Sequence, residues 1–271
     1  MKVWTVANQK GGVGKTTTSV ALAGLALEQG LRVLMLDLDP HGSLTSYFGQ
    51  DPDRLEKGAI NLFMAREKIS PSLVKTNLLP TRYPGMTLLP ASTALATLER
   101  KTVGQGGLGL VVKQSLAAVE DEYDLVLIDT APLLGVLMIN ALACCDELII
   151  PVQTEFLALK GLERMVNTLN MMFRSNKRQV SYHIVPTMFD RRTQASVSTF
   201  HTIRHDYPEH TWPGRIPIDT KFRDASKAGI PPHLYEPDSR GVDAYRSLYK
   251  WLCRLPGSRS IADTYTAGGA R

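Results

Sequence analysis

Lys10-Gly11-Gly12-Val13-Gly14-Lys15-Thr16-Thr17 lies between a partly β-branched segment, Lys2 to Asn8, and an apolar-periodic stretch, Thr16 to Gln29, that Gly30 ends. That order reads as strand, glycine-rich loop, helix. A polyphosphate needs several backbone N–H groups converging on its oxygens, and glycines let the chain wrap that closely. The positive end of the following helix adds to the attraction. Lys15 is then placed to reach the β- and γ-phosphates, the Thr16 hydroxyl to hold Mg²⁺, and Thr17 to touch the α-phosphate. The common pattern GxxxxGK[ST] asks for Gly at position 9, where this chain has Gln9. A second lysine, Lys10, stands instead at the loop entrance.

Beyond the loop, Val33-Leu34-Met35-Leu36 is a continuous apolar run, as expected of a parallel strand buried on both faces. Residues 50–84 mix Pro and Gly and read as short helices and loops, with a strand at Thr87 to Leu89. Helices are expected at Leu108 to Glu122, Leu133 to Cys144, Ala158 to Phe173, Gln194 to His205 and Val242 to Leu255. Strands are expected at Leu125 to Ile128, Leu148 to Ile150 and Val180 to Phe189. Alternating β and α elements of this kind predict one α/β domain over residues 1–255 with a doubly wound, mostly parallel sheet. Residues 256–271, rich in Gly, Ser, Thr and Ala, read as a loose tail.

Two further carboxylate segments follow the loop in order. Asp37-Leu38-Asp39-Pro40 ends the second strand, where side chains face the ligand crevice of such folds. Alternate strand residues point the same way, so Asp37 and Asp39 can address one metal–phosphate centre. Leu125-Val126-Leu127-Ile128-Asp129 then delivers a third carboxylate toward Mg²⁺. The pattern hhhhD is weak alone and strong as the third element in this order.

Composition sets the limits. The chain has 271 residues, 44% hydrophobic and 21% charged, ordinary for a globular domain that needs no disulfides. No apolar run reaches the roughly 18 residues of a membrane span, and the N-terminus lacks the features of a signal peptide. Three cysteines, two adjacent at Cys144 and Cys145, build neither a disulfide framework nor a metal knuckle. They read as small packing residues in a reducing cytoplasm. The net charge of +5 is uneven: residues 171–254 carry 14 Lys/Arg against 8 Asp/Glu. A basic surplus there is either a solvated surface or a face that attracts phosphate polyanions.

Asn8-Gln9-Lys10 through Thr18, Asp37-Leu38-Asp39-Pro40, Asn140-Ala141-Leu142, Ile150-Pro151-Val152-Gln153-Thr154-Glu155, Thr187-Met188-Phe189-Asp190 and Ser239-Arg240-Gly241 together resemble the ParA/Soj branch of the ParA–MinD ATPases. KGGVGKTT is the deviant Walker A signature of that group, and the resemblance spans about residues 1–255. It implies an Mg²⁺-dependent ATPase, slow without its partner, that forms a homodimer around two sandwiched ATP molecules. Lys10 would reach the partner's phosphates, Gly12 would sit where the two loops meet, Asp39 would orient the attacking water and Asp37 would hold a magnesium-bound water. Gly11, Gly12, Val13 and Gly14, with Met188 and Pro217, are assigned to the nucleotide site.

The same resemblance places Arg192 and Lys221 at DNA-contacting positions, both within the basic third, and so implies non-specific DNA as a partner. No helix-turn-helix segment precedes the loop in this sequence, which argues against operator binding. The implied function is an ATP-driven switch that positions cargo on the nucleoid or at a pole, with a ParB-like or chemotaxis adaptor stimulating hydrolysis. Thr130-Ala131-Pro132 and His41-Gly42-Ser43 depart from the commoner family segments, and with Leu133 to Met138 they resemble ParA-like proteins encoded beside chemotaxis genes. A MinD-like membrane regulator is the alternative, and a metabolic enzyme on the same fold a third reading. The closing amphipathic stretch is more simply a helix packed on the sheet than a membrane anchor. Gly104 to Gly109 fits GxGxxG literally but follows no strand. His201 and His205 have i,i+4 spacing without the glutamate or third ligand of a zinc site.

Overall fold

The computed structural model describes residues 1–101, 108–176 and 180–255. Most of the GxGxxG stretch and the whole segment 256–271 lie outside the described residues. Seven strands, β1 (Lys2–Val6), β2 (Val33–Leu38), β3 (Leu79–Pro80), β4 (Met86–Leu89), β5 (Leu125–Thr130), β6 (Glu147–Gln153) and β7 (Ser181–Thr187), form one sheet in the order β3-β4-β2-β5-β1-β6-β7. Every pairing is parallel except that of β3 with β4.

The strands alternate two apolar faces rather than an apolar and a polar one, which is why they read as unbroken hydrophobic runs. Trp4, Val33, Met35, Leu125 and Leu127 pack under the Lys15–Glu28 and Arg240–Leu252 helices. Val3, Leu34, Leu36, Val126 and Ile128 pack under the Ala59–Met64, Val111–Ala117 and Val136–Cys144 helices. A third cluster joins β6 and β7 to the Phe156–Asn176 helix. Cys145 and Cys253 are buried in these clusters, in keeping with a packing role. The Arg240–Leu252 helix buries Val242, Tyr245, Leu248, Tyr249 and Leu252, so its apolar stripe is spent on the sheet.

Several expected boundaries shift for local reasons. The single helix expected over 108–122 is the Val111–Ala117 helix followed by a 3₁₀ turn at Glu120–Glu122. Three carboxylates in succession are unfavourable at the negative end of a helix. The helix expected from Leu133 begins at Val136, where the Glu99 carboxylate accepts the Leu137 N–H at 3.1 Å. The strand expected to reach Phe189 stops at Thr187 because Met188 turns left-handed, at φ 53°. The Leu95–Lys101 and Lys221–Ala228 helices lack long apolar periodicity and are seen only in the structure.

Candidate nucleotide site

β1 is flanked by β5 and β6, and the glycine-rich loop leaves its C-terminal end, the position where open α/β sheets bind ligands. Gly12 and Gly14 adopt φ of 73° and 91°, the left-handed region that side-chain-bearing residues avoid. Gly14 is the N-cap of the Lys15–Glu28 helix, so the loop delivers its amides into the helix N-terminus. Two outside contacts fix the loop: Thr187 Oγ1 donates to the Val13 carbonyl at 3.0 Å, and Asn8 Oδ1 accepts the Lys10 N–H at 2.9 Å. Asn8 is itself held by the Pro151 carbonyl, 2.7 Å from its Nδ2.

Behind the loop, Lys15, Thr16, Asp37, Asp39 and Asp129 come together. The Lys15 ammonium is buried and donates to the Lys10 carbonyl at 3.3 Å. Burial lowers its pKa below the ordinary lysine value, against the opposing pull of Asp129 and Asp39. Thr16 Oγ1 donates to Asp129 Oδ2 at 2.6 Å, and Ser19 Oγ donates to Asp129 Oδ1 at 3.1 Å. Asp37 accepts the Asp39 N–H at Oδ1 (3.0 Å), and the Thr45 N–H and hydroxyl at Oδ2 (2.8 and 2.7 Å). Burial, and then the charge of Asp129, pushes Asp37 up to about 7. Burial likewise raises Asp129 to about 6 against its bonds to Thr16 and Ser19 and the charge of Lys15.

This donor set fits a divalent cation. With its hydrogen given to Asp129, the Thr16 hydroxyl keeps its lone pairs for a metal, and Asp129 orients it from behind. Two buried carboxylates held above their ordinary range are relieved by a bound cation, which favours their charged forms. A magnesium ion here would neutralise charge on the phosphates; Thr16 and Asp129 would hold it, with Asp37 behind. Asp39 is nearly buried, and its Oδ1 accepts the His41 N–H at 2.9 Å and meets the His41 ring at 3.0 Å.

Alongside lies a cavity of about 640 Å³ that Gly14 and Thr17 border on the loop side and Met188, Pro217, Ile218 and Phe222 on the other. Its size suits a small organic ligand. Its lining excludes Asp39 and Asp129, so it lies beside the carboxylate cluster rather than within it. Met188 and Pro217 therefore share a cavity with the loop.

Three residues lie otherwise than a bare phosphate cradle suggests. Lys10 Nζ pairs with the Glu155 carboxylate of its own chain. Arg192 is exposed and its guanidinium grips both oxygens of Asp190, with Nε at 2.9 Å and Nη2 at 2.8 Å. Lys221 Nζ lies 3.4 Å from Glu236. The sequence patterns did not single out Ser19, Thr45, Thr187 or Glu155 for these contacts. Only Ser19, one helical turn from Thr16, carried a periodic signal. His205 meets its neighbour Asp206 at 2.9 Å on the surface.

A family model for the AAA domain, AAA_31, matches residues 1–182. The sporulation initiation inhibitor protein Soj of Bacillus subtilis is 34% identical over 92% of this chain and 97% of its own length. The chromosome partitioning protein ParA of Caulobacter vibrioides is 32% identical over 92% of each chain. Among solved structures, the cobyrinic acid a,c-diamide synthase of Mycobacterium smegmatis with bound ATP analog and magnesium is 33% identical. It superposes with a TM-score of 0.78 over 94% of this chain and 95% of that one.

Proposed function

Because this chain belongs to the AAA_31 family of ParA/Soj-like P-loop ATPases, we propose that it is an ATP-driven dimerising switch that positions intracellular cargo. ATP and Mg²⁺ are its ligands: loop residues 10–17 cradle the phosphates, Lys15 answers their charge, and Thr16 and Asp129 hold the metal with Asp37 behind. Met188 and Pro217 border the nucleoside. Asp39, at the same mouth, orients the attacking water. Lys10 crosses to a partner subunit's phosphates, which makes ATP the glue of the dimer and hydrolysis its release.

The observation that supports this reading best is the pair of lysines. Lys15 is buried inside the cradle, and Lys10 is turned out of it toward Glu155. A lysine at the mouth that is held outside the cradle is available to phosphates of a second subunit. Chromosome partitioning is what the ParA relatives are named for, and the basic surplus of residues 171–254 suits a nucleoid track. Arg192 and Lys221 would touch DNA phosphates without reading bases. The chemotaxis-like segments after Asp39 and Asp129 favour polar chemoreceptor arrays as cargo, with an adaptor that stimulates slow intrinsic hydrolysis. No helix among the described residues is long and apolar enough to cross a membrane, and the one amphipathic stripe suggested as an anchor is packed on the sheet.

The deciding experiment is size-exclusion chromatography and ATPase assay with Mg²⁺–ATP, with and without random duplex DNA. The expected result is a dimer with ATP, a monomer with ADP, and turnover that rises only with DNA and an adaptor. A protein that stays monomeric with ATP is no dimerising switch, and one that turns ATP over only when given a small carboxylic acid and ammonia is a biosynthetic enzyme instead.

A further inference from the structure

Arg204 and Arg215 are exposed, and neither has an acidic partner among the described residues. Both nonetheless lie over aromatic rings. The Arg215 guanidinium carbon lies 4.5 Å from the Phe189 ring centroid and 5.1 Å from that of Phe200, and that of Arg204 lies 5.6 Å from Phe200. The two rings meet edge to face at 5.6 Å, and Phe200 is buried. Backbone bonds from Phe189 N to the Ile216 carbonyl (3.0 Å) and from Ile218 N to the Phe189 carbonyl (3.1 Å) tie the Arg215 segment to the end of β7. The platform therefore adjoins the Asp190–Arg192 turn. Glu209 borders the same shallow hollow as Arg204 without pairing with it.

An aromatic face holds a guanidinium without cancelling its charge, and leaves the edge donors free for phosphate oxygens. Restricting the side chains beforehand lowers the entropy cost of binding. Arg192 is the opposite case: Asp190 occupies two of its donor nitrogens and offsets its charge. Lys221 faces Glu236. We infer that Arg204 and Arg215, stacked on Phe200, form a preset clamp for the phosphate backbone of duplex DNA and carry more of the affinity than Arg192 or Lys221. The inference rests on the DNA-bound switch proposed above. A fixed pair of guanidinium groups suits the fixed phosphates of a duplex.

The test measures ATP-dependent binding of the full chain to random duplex DNA from about 50 to 200 mM salt. The parent is compared with Arg204→Gln/Arg215→Gln, Arg215→Lys and Arg192→Gln, with ATP affinity and melting temperature recorded for each. The double variant is expected to lose at least about tenfold in affinity, and its salt slope to fall by about 0.9 for each phosphate it no longer neutralises. Arg215→Lys, which keeps the charge and loses the planar stack, falls between. Arg192→Gln, which removes one charge rather than two, loses less than half of the double variant's loss in log affinity. Parent-like affinity and slope in the double variant, or a loss in Arg192→Gln of at least half the double variant's in log affinity, overturn the clamp and leave the switch standing. If the double variant melts early, Arg215→Lys decides, and parent-like binding there also overturns the clamp. A parent that binds phosphatidylglycerol vesicles and no DNA removes the underlying DNA reading as well.

Discussion

Asp37 and Asp129 stand in register on the neighbouring parallel strands β2 and β5, and both carboxyls are sealed from solvent. Each is raised above the ordinary 3.8 by burial, Asp37 to about 7 and Asp129 to about 6. The folded, metal-free protein therefore holds these protons more tightly than the unfolded chain. The stability they contribute is whole below about pH 4 and is lost as pH rises through about 6 to 7, on the order of a few kcal/mol. In EDTA, the melting temperature of Asp37→Asn should gain on that of the parent across this window, whatever constant offset the amide brings. Parallel curves would contradict the raised acid. Adding Mg²⁺ and nucleotide near pH 6.5 should release protons, readable by calorimetry in two buffers of different ionisation heat.

Lys15 offers a second test. Its buried ammonium sits among Asp39 and Asp129, so it serves as counter-ion to these carboxylates as well as to phosphate. Lys15→Ala should lower ATP affinity by at least about a hundredfold, since charge-assisted contacts in a partly dry site are worth a few kcal/mol. Unchanged affinity in a nucleotide titration would overturn the phosphate-loop assignment.

The core of the site was legible because its residues are tied to local patterns. A glycine-rich loop, a carboxylate pair at one strand end and hhhhD at another need only spacing, and β2 and β5 lie in the register that brings Asp37 to Asp129. What stayed hidden depends on distant chain. Glu155 lies 145 residues from Lys10, and Thr187 lies 174 from Val13; no window along the sequence pairs them. Thr45 follows Asp37 by 8 residues, across a turn of no fixed period. Arg192 and Lys221 are expected DNA contacts by resemblance alone, and their internal partners Asp190 and Glu236 are visible only in space.

Asp39 is tested through turnover rather than binding. It is nearly buried, and His41 lies against its Oδ1 through both backbone and ring. Asp39→Ala leaves Lys15, Thr16 and Asp129 in place, so Mg²⁺–ATP affinity should stay within a few-fold of the parent. Hydrolysis should fall by at least about a hundredfold, the usual worth of a positioned acid–base group, and the dimer should persist in ATP. Turnover at the parent rate would assign water orientation to another group.

Lys10 and Glu155 give the last prediction. Their side chains are 35% and 48% exposed, and an exposed pair of this kind contributes at most about 1 kcal/mol. If Lys10 is to meet a partner's phosphates, it must leave Glu155 first, so the pair is a small opposing term in dimer formation. Lys10→Ala should bind ATP as a monomer within a few-fold of the parent yet give no ATP-dependent dimer on size-exclusion chromatography. Glu155→Gln releases the lysine while keeping length and polarity. Because each of the two subunits gives up its pair, Glu155→Gln should strengthen the ATP dimer by up to about thirtyfold, the equivalent of about 1 kcal/mol per subunit, and Glu155→Gln on a Lys10→Ala background should add nothing. The double-mutant cycle reads this coupling directly. An intact dimer in Lys10→Ala would remove the lysine from the interface. A Glu155→Gln effect that survives in the double variant would mean that Glu155 acts on the dimer by a route of its own.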